Sequence, residues 1–213
     1  MALPFLLSSC DEEDGYVYPS VKLEFLTAET GSDGRIRSVV TDEGIRFPIE
    51  KDHTRSQLDA NAAVRIMSNY EVLTSGDNEQ EVRIYGLMQV VSVDPKPRAE
   101  FENGVKEDPV DVTSIWLGHD YINMVLGIRW QNAKHQFHFI EESVTEGADG
   151  RPDITLSLYH DDGGDMQAYS QKAYLSVPLR NRYPQGAHVT FKFNTYNKGV
   201  KRYEFDYIPK AIN

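Results

Sequence analysis

The chain has 213 residues, 33 acidic side chains against 22 basic ones, and a formal net charge of −11 at pH 7. That length folds as one large β domain or two of about 100 residues each, and the negative field repels phosphate backbones, which argues against nucleic acid as a partner. The single cysteine leaves no intrachain disulfide, and no apolar run approaches the roughly eighteen residues a membrane-crossing helix needs.

The first residues, MALPFLLSSCDEEDG, hold that cysteine at position 10. Leu7-Ser8-Ser9-Cys10 fits a bacterial lipobox, in which a small residue precedes a cysteine whose thiol takes a diacylglyceryl group. Residues 1–9 carry no Lys or Arg, and their short apolar core is interrupted by Pro4, so they read as a partial signal peptide. Asp11, Glu12, Glu13 and Asp14 follow at once; four like charges stay solvated and extended, as a tether would. The same cluster resembles the export tag that sends some lipoproteins to the cell surface. Residues 1–15 are therefore read as partial signal peptide, lipobox and acidic tether.

Beyond the tether, period-two alternation dominates and predicts an all-β protein. Val21, Leu23 and Phe25 alternate with Lys22 and Glu24 and give a first strand one apolar face; Thr30 to Gly34 then breaks it. Ile36–Val40 and Ile45–Ile49 flank the turn Asp42-Glu43-Gly44, with Pro48 placing the second of them at a sheet edge or at its end. Glu50 to Asn61 is polar and suits a long loop or a single helical turn. A strand then starts at Val64 and Ile66 and runs toward Val72, and Ser75 to Asn78 turns it back. The last strand of this half, Glu81 to Val93, carries Gly86 in its middle, which predicts a bulge or barrel corner. Five long, bent strands suggest an OB-like five-stranded barrel over residues 16–97. Pro95 to Pro109 is polar and proline-bearing and reads as the boundary between domains.

From Asp111 the alternation sharpens. Ile122, Met124, Leu126, Ile128 and Trp130 share a face; so do Ile154, Leu156 and Leu158, and later Val189, Phe191 and Phe193. Turns at Gly118-His119-Asp120, Glu146 to Gly150, Asp161 to Asp165 and Asn197-Lys198-Gly199 separate the runs. Short strands at this spacing predict an antiparallel β-sandwich over residues 98–213, following the barrel.

Several stretches together resemble the NigD-like lipoproteins: the lipobox and acidic tail, Tyr16 to Phe25, Ile115-Trp116-Leu117-Gly118-His119-Asp120-Tyr121-Ile122-Asn123, and the closing Asn194-Thr195-Tyr196-Asn197. The resemblance implies an OB-like domain joined to a β-sandwich, a lipid anchor in the bacterial outer membrane with the protein exposed at the surface, and an accessory or bacteriocin-immunity role. It supplies no catalytic or ligand-binding residues.

Candidate chemistry is sparse. His135 and His138 are three apart in a predicted strand, where they point to opposite faces and do not share a metal. Asp161, Asp162 and Asp165 around two glycines offer oxygen ligands for calcium, but no bidentate Glu follows, and Asp-Gly is a common turn signal. Glu141, Glu142 and Glu146 would serve glycoside chemistry only if one had a raised pKa and a fixed partner; beside a polar loop they read as a solvated face. No nucleophile elbow or P-loop is present, and Cys10 is too near the terminus for a folded site. Tyr16, Tyr18, Tyr169 and Tyr183 are candidates for a contact patch. We expect no catalytic residue, metal or cofactor, a membrane contact through Cys10, and a protein or glycan partner. The alternative is an enzyme acting on an envelope or extracellular polymer, with its site where the two domains meet.

Overall fold

The computed structural model describes residues 20–74, 76 and 78–212; Cys10, Asp11, Glu12, Glu13, Asp14, Tyr16 and Tyr18 lie outside them. The described chain is all β. Its first five strands are β1 (Lys22–Thr30), β2 (Ile36–Val40), β3 (Arg46–Asp52), β4 (Ala63–Thr74) and β5 (Gln80–Gln89). They close into a barrel of order β1-β2-β3-β5-β4, with β3 and β5 parallel and the other pairs antiparallel. This is the five-stranded barrel of the OB type that the alternation predicts.

The barrel fills with Leu26, Ala28, Ile36, Val39, Ile66, Tyr70, Val82 and Ile84, while Leu58 from the loop after β3 plugs one end. Leu58 N–H donates to Gly34 O at 3.0 Å, and Gly34 has φ +72°. A side chain on Gly34 would strike that loop's backbone; of the polar stretch Glu50 to Asn61, the first three residues finish β3 and the rest is a packed loop with no helical turn. Two expectations shift here. Leu23 and Phe25 face out of the barrel, since Leu26 and Ala28 take the inward positions of β1. Pro48 marks no edge, because β3 runs on to Asp52 and begins pairing with β5 at Ile49, one residue later. Near Gly86 the register of β4 with β5 slips between Asn69 and Tyr70, the bulge expected of that glycine.

The second half holds β6 (Lys96–Pro97), a 3₁₀ turn (Arg98–Glu100), β7 (Asp111–Gly118), β8 (Tyr121–Trp130), β9 (Gln136–Glu146), β10 (Pro152–Asp161), β11 (Tyr169–Pro178), β12 (Ala187–Thr195) and β13 (Gly199–Tyr207). They form a five-stranded sheet, β13-β12-β10-β9-β6, and a three-stranded sheet, β11-β8-β7. The core between them takes Ile122, Met124, Leu126, Phe139, Ile154, Leu156, Leu175, Val189, Phe191 and Tyr207, the faces the alternation marks. The sandwich is not wholly antiparallel. Because β11 crosses to the smaller sheet, β12 returns beside β10 running in the same direction.

Pro95 to Pro109 is built into the sandwich. Val91 already exchanges hydrogen bonds with Tyr174 and Ser176 of β11, β6 pairs with β9, and Asp108 N–H donates to His160 O at 3.0 Å. The chain leaves the barrel at Gln89 and makes its first sandwich contact at Val91.

Candidate functional site

Barrel and sandwich meet around one guanidinium. Arg65, on the outward face of β4, has a side chain only 2% exposed. A charge so placed needs full pairing, and five donors in a planar fork allow it. Its Nε donates to Ser176 Oγ at 3.1 Å, Nη1 to Thr27 Oγ1 at 3.1 Å, and Nη2 to Asn123 Oδ1 at 2.9 Å and to the Asp42 carboxylate. Asp42 also accepts from Trp116 Nε1 at 3.0 Å and Asn123 Nδ2 at 2.8 Å. The guanidinium lies over the Tyr121 ring at 4.3 Å and the Phe25 ring at 5.6 Å. Thr27, Asp42 and Phe25 come from the barrel; Asn123, Ser176, Trp116 and Tyr121 come from the sandwich. Gly118 backs the node, where a β-carbon would collide with Asp42 and Asn123.

Two hollows open beside this node, one lined by Arg65 itself and the other by its partners Phe25 and Asp42. The larger, 510 Å³, is a groove floored by Leu23, Phe25, Met67, Trp116, Leu117 and Tyr174. Phe25 makes edge-on contacts with Trp116 at 5.3 Å and Tyr174 at 6.2 Å. Glu24, Glu43 and Lys172 stand at its rim. Glu24 accepts from Tyr70 OH at 2.6 Å, and burial together with that carboxylate pushes the Tyr70 phenol far above its usual range. Glu43 and Leu23 are exposed, Leu23 at 62%. The groove thus offers an apolar, aromatic floor with a charged lip, the composition of a binding surface.

The smaller hollow, 210 Å³, holds His119, Asp120, Tyr121 and Arg180. His119 Nδ1 is 2.9 Å from Asp120 Oδ2, an arrangement that acid–base chemistry also uses. Here Asp120 is engaged on both oxygens: Oδ1 accepts from Tyr207 OH at 2.9 Å and Oδ2 from Arg180 Nε at 2.5 Å. His119 Nε2 faces the Ala211 carbonyl at 3.4 Å. The pair therefore ties β13 and the segment after it to the turn between β7 and β8.

The remaining candidates disperse. His138 sits edge-on to Phe101, while His135 Nδ1 lies 2.9 Å from His160 Nε2, a contact across 25 residues of chain that spacing does not reveal. His135 Nε2 is buried 3.4 Å from Asp165 Oδ2 without hydrogen-bond geometry. Asp165 leaves its predicted companions. Burial opposes its charge, but the backbone amides of Gln131, Asn132 and Ala133 hold its carboxyl down to about 2. Asp161 and Asp162 converge instead with Asp108, their oxygens within 4.8 Å, and all three accept backbone N–H bonds from 162–164.

Glu141 and Glu142 are not a solvated face. Arg182 grips Glu141 with two bonds of 2.6 Å, joined by Tyr183 OH at 2.6 Å, and Arg98 with Ser157 grips Glu142. Both carboxyls are held below the usual range by their arginines, the opposite of the raised pKa a general acid needs. Tyr183 is buried; Tyr169 is 67% exposed and pairs with Trp130 across β11 and β8. Arg65 and Asp42 carry no sequence motif. The one available signal is a lone arginine between Val64 and Ile66 in an apolar strand.

An OB-type barrel fused to a β-sandwich through a buried arginine defines a two-module all-β protein whose composite surfaces lie at the junction. Among the described residues no helix is long and apolar enough to cross a membrane. The chain belongs to the NigD-like family: the NigD-like C-terminal beta sandwich domain matches residues 90–207. A NigD-like immunity protein from Bacteroides caccae is 38% identical, with a TM-score of 0.75 over 92% of this chain and 100% of that one. The fold recurs in a candidate toxin-related protein from Parabacteroides distasonis, at 16% identity and TM-score 0.69 over 89% and 94% of the two chains. It recurs again in a candidate lipoprotein from Bacteroides fragilis, at 10% identity and TM-score 0.60 over 91% and 100%. A search of curated proteins returns no match.

Proposed function

We propose that this protein is a non-catalytic lipoprotein of the bacterial outer membrane, held at the cell surface through Cys10, that binds a protein segment or glycan in the junction groove. The observation that carries the binding role is a groove drawn from both modules, in which exposed Leu23 and half-buried Trp116 and Tyr174 lie over buried Phe25 beside the Arg65–Asp42 node. The NigD-like immunity protein supports an immunity role toward a bacteriocin, in which the partner is the toxin or its receptor. A photo-crosslinking residue in place of Trp116, expressed in the native host, should give one discrete adduct that a crosslinker at exposed Val144 does not. No adduct, or the same products from both positions, would overturn groove binding. The anchor has its own test: Cys10→Ser should abolish fatty-acid labelling and release the protein from membranes, and retention of both sinks the lipoprotein reading.

An enzymatic reading is favoured by one feature, the His119–Asp120 pair in the smaller hollow. It predicts release of soluble fragments from envelope polymer by the purified protein, lost in His119→Gln. Because Arg180 and Tyr207 already hold Asp120 in place as a structural partner, we expect no release.

A further inference from the structure

We propose that two copies of this chain associate through β13, joining their five-stranded sheets into one continuous sheet across a twofold axis at Tyr203. β13 ends its sheet, paired with β12 on one side and, among the described residues, with nothing on the other. A nine-residue edge of this kind invites strand addition unless its charges forbid it. Here the charges select a partner. Along Val200-Lys201-Arg202-Tyr203-Glu204-Phe205-Asp206 the basic residues occupy the first half and the acidic residues the second. An antiparallel copy centred on Tyr203 therefore lays Arg202 against Glu204 on each side of the axis, with Lys201 opposite Phe205 and Val200 opposite Asp206.

The register is specified. Centred on Tyr203, the midpoint of Gly199–Tyr207, the pairing sets Arg202 opposite the partner's Glu204 and Glu204 opposite the partner's Arg202. Centring on Arg202 or on Glu204 sets each on its own copy, and like charges directly opposite are destabilising. Half-step registers would match outward-facing positions with inward-facing ones, which the side-chain period of a strand penalises. Arg202 and Glu204 are exposed and, among the described residues, have no ion-pair partner, whereas Asp206 is already held by Arg151 at 2.6 Å.

The inner face supports the same surface. Tyr203 and Phe205 pack on the core but stay only partly buried, because a three-stranded sheet faces a five-stranded one and β13 stands at the far end of the larger. In the proposed pairing Tyr203 meets the partner's Tyr203 at the axis. The contact is isologous and closes at two copies.

Sedimentation velocity on the full chain carrying Cys10→Ser tests this without interference from a thiol-linked dimer. The protein should pass from monomer to dimer between low and high micromolar concentration, and more weakly at high salt. Arg202→Glu and Glu204→Arg should each raise the dissociation constant at least about tenfold. Combining them restores opposite charges at the same two positions and should restore the dimer, with unchanged unfolding midpoints confirming the fold. A monomer at every concentration, single variants that dimerise like the parent, or a combined variant that stays monomeric would each overturn the proposal.

Discussion

Arg65→Met removes the guanidinium at the junction while keeping most of the apolar stem. Its side chain is 2% exposed and Asp42 is 16% exposed, so the loss leaves a largely buried carboxylate supported, among the described residues, by Trp116 and Asn123. Removing one partner of a buried ion pair costs about 3–5 kcal/mol. At about 2–4 °C per kcal/mol for a chain of this size, the unfolding midpoint should fall by roughly 6–20 °C. Because every lost bond reaches from β4 to Thr27, Asp42, Asn123 or Ser176, the barrel and sandwich transitions should also separate in urea when followed by tryptophan fluorescence and far-UV dichroism. Adding Asp42→Asn should recover part of the loss, since the stranded charge is gone. Arg46→Met is the control: its pair with Glu29 joins side chains 48% and 31% exposed, and such pairs are worth about 0–1 kcal/mol. An Arg65→Met cost no larger than that control, with coincident transitions, would refute the node as the clamp between the modules.

Other consequences are open to measurement. Gly118→Ala places a methyl against Asp42 and Asn123 and should lower the unfolding midpoint by an amount comparable to Arg65→Met, and a neutral result would show that the node yields. Burial lowers the His160 pKa below its ordinary value near 6.5, and the contact with Asp108 O only partly offsets this. The unfolded chain then takes up a proton first, so stability present above about pH 6.5 should decline as the pH falls toward the folded value; an NMR titration midpoint at or above 6.5 contradicts this. Arg182 and Arg98 lower the pKa values of Glu141 and Glu142. Their stabilisation is present above about pH 4.3 and lost as pH falls through the depressed folded values. Urea midpoints between about pH 5 and 3 should thus fall more steeply for the parent than for Glu141→Gln; parallel curves would count against the pairing.

The sandwich core was legible because β8, β10 and β12 each bury one side: Ile122, Met124 and Leu126, Ile154 and Leu156, Val189 and Phe191 all stand where period two puts them. The barrel was legible as a class, but β1 has two apolar sides. Leu23 and Phe25 alternate as cleanly as any core strand and yet face out of the barrel, Phe25 covered by the sandwich through Trp116 and Leu23 left exposed on the groove. Alternation reports burial and not which neighbour does the burying. Pro95 to Pro109 misleads for a related reason, since its prolines and charges suit a sheet edge as well as a linker. The site itself was hidden: Asp42 sits in a turn, Arg65 in a strand, and Asn123 and Ser176 in a second domain. Only the fold brings together residues up to 111 positions apart.

β1 is laddered on both sides, to β4 from Lys22 to Glu29 and to β2 from Thr27 to Thr30. A pull applied through the residues ahead of Lys22 runs along this strand. It would therefore load both ladders in shear together, and neither could be peeled one rung at a time. Forced detachment is governed by the unfolding rate and not by equilibrium stability, so a protein held by its N-terminal end would resist tension through the one strand that closes its barrel.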